Sequence, residues 1–455
     1  MHVGIVNWSL YRGRGGIERN ANLLAGTLAK RGHKVTVFYQ LGDDAGGRPV
    51  YAIPPGVRTA ALELDDRFPE PERARSALLE SGIDILVTMF SWESQIWFPW
   101  LLKGSGIPLV ISERSTPDNT IRSWNAVERS ACLELADHIH LLTREFAHSV
   151  PEDLRERVTV LPNPVDVTHF AGPQVVKPER DVLLALGRFE ESTKQFSHLI
   201  RAFGLLAEEF PDWTLRLCGN GDSFKHYAAL RQELGLGERI ELPGMIEDVA
   251  GEYSRASFFC LPSRVEGFPT VGLEAQYFGL PIVGYAQCPG LNELVIHGEN
   301  GVLVRDMTPE DLARGLKTLM RDPELREKMA LRSKELLQRY DPASIYDAWE
   351  NMLQHAIDTA HPPRMERVAQ GLEGSEAARE VIGRIHAFDR SAYLRIHATA
   401  CKTGEQSPFT DVQIRKFISQ MERFCLPGYR LSRKCIKNRL MKLVRKKHTL
   451  AASRG

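Results

Sequence analysis

Apolar runs of about four to eight residues alternate along the chain with amphipathic stretches, the pattern of a doubly wound parallel sheet with helical crossovers. The first unit reads as a strand HVGIVNW, a glycine-bearing loop YRGRGG, a helix IERNANLLAGTLAKRG stopped at Gly32, and a strand HKVTVFYQ. IDILVTMF, IPLVISE, HIHLLT and VTVLPN read as further strands and bring a first domain to its end near Pro164. The polar, proline-containing stretch GPQVVKPERD then reads as a linker. Beyond it the alternation restarts, with VLLALG, WTLRLCG, RIELPG, SFFCLPS and PIVGYA as strands and FSHLIRAFGLLAEEF and FKHYAALRQEL as helices. The fold class expected is therefore α/β, two doubly wound parallel-sheet domains in succession.

Composition agrees with this picture and narrows it little. A chain of 455 residues with 43% apolar residues has enough material for two or three domains with sizeable cores. Its formal net charge is zero, but from Arg423 to the end there are eleven Lys or Arg and no Asp or Glu. Leu431, Cys435, Ile436, Leu440, Leu443 and Val444 are interspersed among those cations. That pattern suits a basic amphipathic helix on an anionic membrane surface, and equally a solvated tail. Base-stacking aromatics are absent after Tyr429, so no nucleic acid is expected as a partner. Seven cysteines without a C-x-x-C pair point to reduced thiols and a cytoplasmic setting. No apolar run approaches the roughly 18 residues of a membrane span, and the N-terminus carries no secretory signal. The expected location is cytoplasmic, with the basic tail as a peripheral attachment to the inner face of the membrane. Trp92, Trp97 and Trp100 cluster in SWESQIWFPWLLKGSG, either as core or as an interfacial surface for a lipid or sugar ring.

The most informative chemistry lies in Leu261 to Val304. Glu266 and Glu274 bracket the start of one short helix: Gly267, Phe268 and Pro269 form a turn, Thr270 is placed to cap, and VGLEAQYF, beginning at Val271, runs to a stop at Gly279 before Pro281. Free amide groups at such an N-terminus favour a diphosphate, and the flanking carboxylates can accept from hydroxyl groups. Glu266, ahead of the helix, is placed for a hexose, and Glu274, within it, for a ribose. Arg188 ends a predicted strand and Lys194 follows before a helix, so both belong at the carboxyl edge of the second sheet, where open α/β folds bind ligands. Fixed cations there would stabilise a departing diphosphate. Gly15 and Gly16 precede the first helix, where the backbone can approach a phosphate or simply turn tightly. Gly219 and Gly221 in LCGNGD, and Pro243 and Gly244 after RIEL, hold similar positions after later strands.

EGFPTVGLE, with seven residues between its two glutamates, resembles the motif of retaining glycosyltransferases of family 4. GLPIVGY, GLNELV, HGENGVLV, RGGIE, LPNPVD and GRFEESTKQF resemble further stretches of the same family, from about residue 1 to about residue 358. The resemblance implies a GT-B fold: two Rossmann-like domains facing across a cleft, 1–168 on the acceptor side with 340–358 packing back on it, and 175–338 binding the nucleotide sugar. Residues 360–455, beyond the resemblance, are expected to form a basic, helical C-terminal extension of unassigned role. It implies a hexosyltransferase that uses a UDP- or GDP-sugar, retains the anomeric configuration through a front-face reaction, and needs no metal or other cofactor. The chain contains no Asp-x-Asp sequence. Arg188, Lys194 and Glu266 are the catalytic candidates; Gly15, Gly16, Gly219, Gly267, Phe268, Pro269, Thr270, Val271 and Glu274 are the substrate-binding ones. The spacing from Arg188 to Lys194 is one residue longer than is usual in the family. Where many members carry a histidine, this chain reads ISERSTPDN, which nominates Glu113 and Arg114 for an acceptor hydroxyl and a phosphate, or for a pair with one another. The expected acceptor is a glycan or lipid-linked sugar of cell-surface polysaccharide or lipopolysaccharide synthesis. A soluble sugar or sugar phosphate, or a non-catalytic nucleotide-sugar scaffold, are the alternatives.

Overall fold

The computed structural model describes residues 1–363 apart from 8–9, 12–14, 41–46, 63–70, 90–96, 103, 118–125, 166, 168–169, 171–180 and 361. The linker but for Asp181, which opens a strand, the basic tail and Trp92 lie outside the described residues, as do the side chains of Trp97 and Trp100. Strands β1 (His2–Val6), β2 (Lys34–Gln40), β3 (Val57–Leu62), β4 (Ile85–Thr88), β5 (Leu109–Glu113), β6 (His138–Leu141) and β7 (Val158–Val160) form one sheet in the order β3-β2-β1-β4-β5-β6-β7. A second sheet contains β8 (Asp181–Leu186), β9 (Trp213–Cys218), β10 (Ile240–Gly244), β11 (Phe258–Leu261), β12 (Ile282–Tyr285) and β13 (Gly301–Val304), in the order β10-β9-β8-β11-β12-β13. All pairings are parallel, with Ile5 of β1 opposite both Val37 and Val87.

The central strands are buried on both faces, which is why they read as unbroken apolar runs: β1, β4, β5, β11 and β12 are buried at every position. Two edge strands, β3 and β13, were not among those expected from periodicity. Val57–Leu62 is a half-exposed edge with Arg58 and Thr59 facing solvent, so it lacks the apolar run that marked the others, whereas Gly301–Val304 is a short apolar edge strand opened by a glycine. The helices after β13 announce themselves locally. Thr308, Asp322 and Asp341 each stand before a proline and accept a backbone N–H three residues on, from Asp311 at 3.2 Å, Leu325 at 2.8 Å and Ser344 at 2.9 Å. Each cap is worth about 1 kcal/mol.

In each sheet the strand order reverses beside the first strand, between β1 and β4 and between β8 and β11. Loops leaving neighbouring strands part there, opening a crevice at the carboxyl ends. The helix Pro342–Thr359 leaves the second domain and returns to the first. Trp349 lies 4.3 Å from the ring of His140, and Glu350 accepts from Arg31 at 3.0 Å and pairs with His33 at 2.9 Å. Beside this crossing the Val165 amide donates to the Tyr340 carbonyl at 2.9 Å. The helix Trp97–Leu102 buries Phe98 and Leu101 in the first domain's core. No helix among the described residues is long and apolar enough to cross a membrane.

Candidate active site

The crevice of the second sheet is built by the loops after β8 and β11. The first carries Gly187, Arg188 and Phe189, and its course is set by the loop after β9. The Gly187 amide donates to the Cys218 carbonyl at 3.1 Å, Phe189 to Asn220 at 2.9 Å, and Ser223 back to Phe189 at 2.9 Å. Gly219 and Gly221 hold positive φ angles of 146° and 154°, and a Cβ on Gly219 would fall 1.9 Å from the Gly187 carbonyl oxygen. Both glycines therefore serve the fold by letting two backbones touch beneath Arg188. Phe189 drives into an aromatic cluster with Phe196, Phe224 and Tyr227, at centroid distances of 5.8, 5.8 and 5.2 Å. Anchored by that neighbour, Arg188 itself reaches outward: its side chain is 73% exposed, and its guanidinium stands 3.6 Å from Glu190.

Lys194 ends the short helix Glu191–Lys194, after which Gln195 turns through a left-handed conformation, φ 48°, into the helix Phe196–Gly204. Glu191 secures that turn by accepting from Tyr227 at 2.8 Å and from the Ser197 hydroxyl. The loop after β11 is tied to it, since the Arg264 amide donates to the Thr193 carbonyl at 2.8 Å and its Nε to the Ser192 carbonyl at 3.0 Å. These ties bring together two of the sequence candidates: Lys194 Nζ donates to Glu266 Oε1 at 2.5 Å, and the Ser263 hydroxyl reaches the same oxygen at 2.6 Å. Behind them burial, and then the Glu266 charge, hold the Cys288 thiol well above its ordinary pKa, so it stays protonated.

The helix between the two glutamates is Thr270–Tyr277. Thr270 was expected to cap it; instead Pro269 is the cap residue, without a side-chain hydrogen bond, and Thr270 is the first helical residue. Pro269 is extended, with φ −76° and ψ 105°, so the boundary lies one residue earlier and leaves the Thr270 and Val271 amides at the open end. That end faces the first domain's glycine loop: a Cβ on Gly16 would lie 3.1 Å from Thr270 Oγ1. Gly15 caps the helix Gly16–Lys30 with its backbone alone. Glu274, 4% exposed, accepts from Arg19 of that first-domain helix and, at 2.8 Å, from the Tyr253 hydroxyl.

Gly267 and Phe268 lie at the junction of the domains. A Cβ on Gly267 would fall 2.3 Å from the Arg114 carbonyl oxygen, so only glycine admits this approach. The Phe268 carbonyl accepts from Asn163 Nδ2 at 3.0 Å, Asn163 Oδ1 accepts from the Arg114 guanidinium, and the Phe268 ring rests 5.3 Å from Tyr340. Arg114 is thus buried in the junction, its pKa held down to about 10 by desolvation, rather than standing in open solvent for a phosphate. Glu113 also departs from expectation. It is 2% exposed and both its oxygens are taken by Arg129, at 2.6 and 2.5 Å, while Arg129 continues to the Ser149 carbonyl and hydroxyl at 3.2 and 2.9 Å. A carboxylate closed by a bidentate guanidinium inside the core is not presented to an acceptor. Sequence reasoning missed Arg19, Tyr253, Asn163 and Ser263. Asn163 and Ser263 sit in stretches already singled out, whereas Arg19 offers only its place one turn beyond the glycine loop.

Two family models match the chain in succession: Glycosyltransferase Family 4 over residues 14–169 and Glycosyl transferases group 1 over residues 169–336. The chain is 27% identical over 347 residues to an uncharacterized glycosyltransferase of Haemophilus influenzae, covering 74% of this chain and 96% of that one. It is 24% identical over 355 residues to a Campylobacter jejuni enzyme named as the alpha-1,4-N-acetyl-D-galactosaminyltransferase acting on GalNAc-alpha-(1->4)-GalNAc-alpha-(1->3)-diNAcBac-PP-undecaprenol, covering 74% and 95%. Among solved structures, Anabaena Alr3699/HepE in complex with UDP-glucose matches with a TM-score of 0.63 at 18% identity, over 78% of this chain and 100% of that one. With two parallel sheets in series and one family model over each, meeting at residue 169, the chain belongs to the family 4 glycosyltransferases of GT-B fold.

Proposed function

We propose that this glycosyltransferase moves a hexose from a UDP- or GDP-sugar, with retention at the anomeric carbon, to a glycan or lipid-linked acceptor of cell-surface polysaccharide. The observation that carries the reading is the contact of Lys194 with Glu266 beside the open start of the helix Thr270–Tyr277, which faces Gly16, with Arg188 next to the Gly187 that lies against Lys194. A diphosphate fits there between two cations and the amides of Thr270 and Val271. Glu266 then accepts from hexose hydroxyls and Glu274 from the ribose.

Bond breaking places negative charge on the leaving phosphate oxygen. Arg188 and Lys194 attract that charge more in the transition state than in the bound donor, which lowers the barrier. Lys194 pairs with Glu266, so a diphosphate bound by the lysine would exchange one anionic partner for another. A double displacement needs a nucleophile on the far face of the sugar. Among the described residues the nearby candidates are engaged otherwise: Glu266 is held by Lys194 and Ser263, Glu113 is closed by Arg129, and the Cys288 thiol is protonated. A front-face course, with the departing phosphate oxygen taking the acceptor's proton, is the reading supported. The cations of the chain do the work that a divalent ion would do elsewhere, so no metal is required. The named lipid-linked substrate of the Campylobacter jejuni relative supports the acceptor class, and a fold neighbour solved with UDP-glucose supports the donor class. A lipid-linked acceptor supports the reading of a cytoplasmic enzyme at the inner membrane face, with the basic run from Arg423 onward as the attachment.

The test is turnover by the full chain across UDP- and GDP-sugars, without acceptor and with a lipid-linked extract, in the presence of EDTA. Release of sugar without acceptor, transfer with it, and an unchanged anomeric configuration in the product by NMR are expected. Binding without turnover under all conditions would instead leave a nucleotide-sugar scaffold, and an inverted product would remove the front-face course.

A further inference from the structure

Ser263 enters the reading above only as a neighbour of Glu266, yet it is fully buried and stands two residues after the strand Phe258–Leu261. A serine hydroxyl carries one proton, and this one is directed at Glu266 Oε1, 2.6 Å away. Lys194 Nζ donates to that same oxygen at 2.5 Å, and Glu266 Oε2 takes no hydrogen bond from any of the described residues. Glu113 shows the alternative, a carboxylate that serves the fold alone, with both oxygens filled by Arg129. Glu266 is divided instead: one oxygen is spent inside the protein and the other is left over, at a side-chain exposure of 10%.

The backbone beneath this carboxylate is fixed without help from Ser263. Arg264 is tied to Thr193 and Ser192 by its amide and its side chain, and a Cβ on Gly290 would fall 2.6 Å from the Gly267 carbonyl oxygen and 2.9 Å from that of Glu266. What remains free is rotation of the carboxylate about its last torsion, which is broad in glutamate. An ammonium is a point charge with no preferred acceptor geometry, so with Lys194 as sole donor both oxygens could turn to it. The serine opposes that turn. An ionised carboxylate has about two lone-pair positions on each oxygen; the serine and the lysine fill those of Oε1 and leave those of Oε2. We propose that Ser263 is a positioning residue for the donor sugar: by holding Glu266 Oε1 beside Lys194 it keeps Oε2 for the hexose, so that one fixed oxygen reads the configuration of the sugar's hydroxyl groups. An oxygen held in this way cannot swing to follow a hydroxyl moved to the other face of the ring. This rests on the nucleotide-sugar reading above.

Kinetics of the full chain with three pairs of epimeric donors, UDP-glucose and UDP-galactose, UDP-GlcNAc and UDP-GalNAc, GDP-mannose and GDP-glucose, test it in wild type and Ser263→Ala. Misdirecting a hydrogen bond to a charged group predicts a kcat lowered about tenfold with the preferred donor. Donor KM, and the calorimetric affinity for UDP or GDP alone, stay within about twofold, because the nucleotide is held elsewhere. The ratio of kcat/KM between the preferred donor and its epimer narrows. In a Glu266→Ala background, Ser263→Ala adds less than about twofold, since the serine acts through that carboxylate. A merely structural role would lower nucleotide affinity together with kcat and would add its full loss in that background. Should Ser263→Ala fail to fold, Ser263→Cys, which keeps the volume but offers a weak S–H donor, carries the same expectations. Wild-type kcat and epimer selectivity in the folded variant, or full additivity with Glu266→Ala, overturns this proposal and leaves the donor reading standing. Failure of the wild-type chain to turn over any of the six donors overturns the donor reading and this proposal with it.

Discussion

Two ion pairs near the cleft use the same chemistry for opposite ends. Glu113 and Arg129, in the first domain, are 3% and 4% exposed and joined through two hydrogen bonds, and the guanidinium goes on to tie down Ser149. Lys194 and Glu266, in the second, are 17% and 10% exposed and joined through one, and Arg188, in the loop after β8, is 73% exposed. A bidentate pair inside a core is part of the fold, because neither partner can leave without stranding a charge. A single bond at the edge of a crevice can be traded for a ligand's phosphate or hydroxyl. Charge alone therefore does not mark a site; the site is where charges can exchange partners.

The largest effect that would break this contrast is on stability. Arg129→Ala strands Glu113 and should cost about 3–5 kcal/mol, read as a lower midpoint in urea unfolding. An unchanged midpoint would mean that the pair is not part of the core. Next comes pH. In the same domain His138 and His140 are buried, His138 with its pKa pushed down to about 4 and His140 well below its ordinary value, in both cases chiefly by desolvation. Above the unfolded-state pKa near 6.5 both states hold these histidines neutral and the fold loses nothing. Below it the unfolded chain binds protons first, so stability should fall by about 1.4 kcal/mol per pH unit for each histidine, down to the folded pKa. Asn or Gln in place of both should flatten that slope, measured by unfolding at pH 7, 6 and 5.

On the cleft side the expectation reverses. Arg188→Ala should leave the urea midpoint almost untouched, as exposed substitutions do, within about 0.5 kcal/mol. It should lower turnover at least about tenfold, since a charged hydrogen bond to the diphosphate is worth about 1.5–3 kcal/mol. Wild-type turnover would remove Arg188 from the site. The smallest effect is at Gln195, the only non-glycine residue at positive φ among the described residues. Gln195→Gly relieves about 1–2 kcal/mol of left-handed strain against about 0.5–1 kcal/mol of added chain entropy. A gain of a few degrees or less in melting temperature, with turnover reduced if the strain holds Lys194 toward Glu266, would sharpen the contrast between a relaxed core and a constrained crevice.

Much of this was legible in the sequence because its causes are local. Central parallel strands need apolar side chains on both faces, so their runs stand out, whereas the half-exposed edge strand Val57–Leu62 does not. The cap expected at Thr270 was misplaced by one residue because Pro269, extended at φ −76° and ψ 105°, takes that position itself. Glu113 and Arg114 illustrate the harder case. Adjacent in sequence, they point to different partners, Arg129 and Asn163, and only the packing of β5 against its neighbours says which.

The sequence by itself determined the alternation of strands and helices, the two-sheet order of the chain, and the seven-residue interval that sets Glu266 ahead of one short helix and Glu274 within it. Tertiary structure alone decided which charges remain exchangeable, and that Arg19 meets Glu274 across 255 positions of chain. Helix and strand periods are properties of neighbouring residues and can be read in order. The state of a charge depends on the groups and the water around it, and those are assembled only when distant segments close on one another.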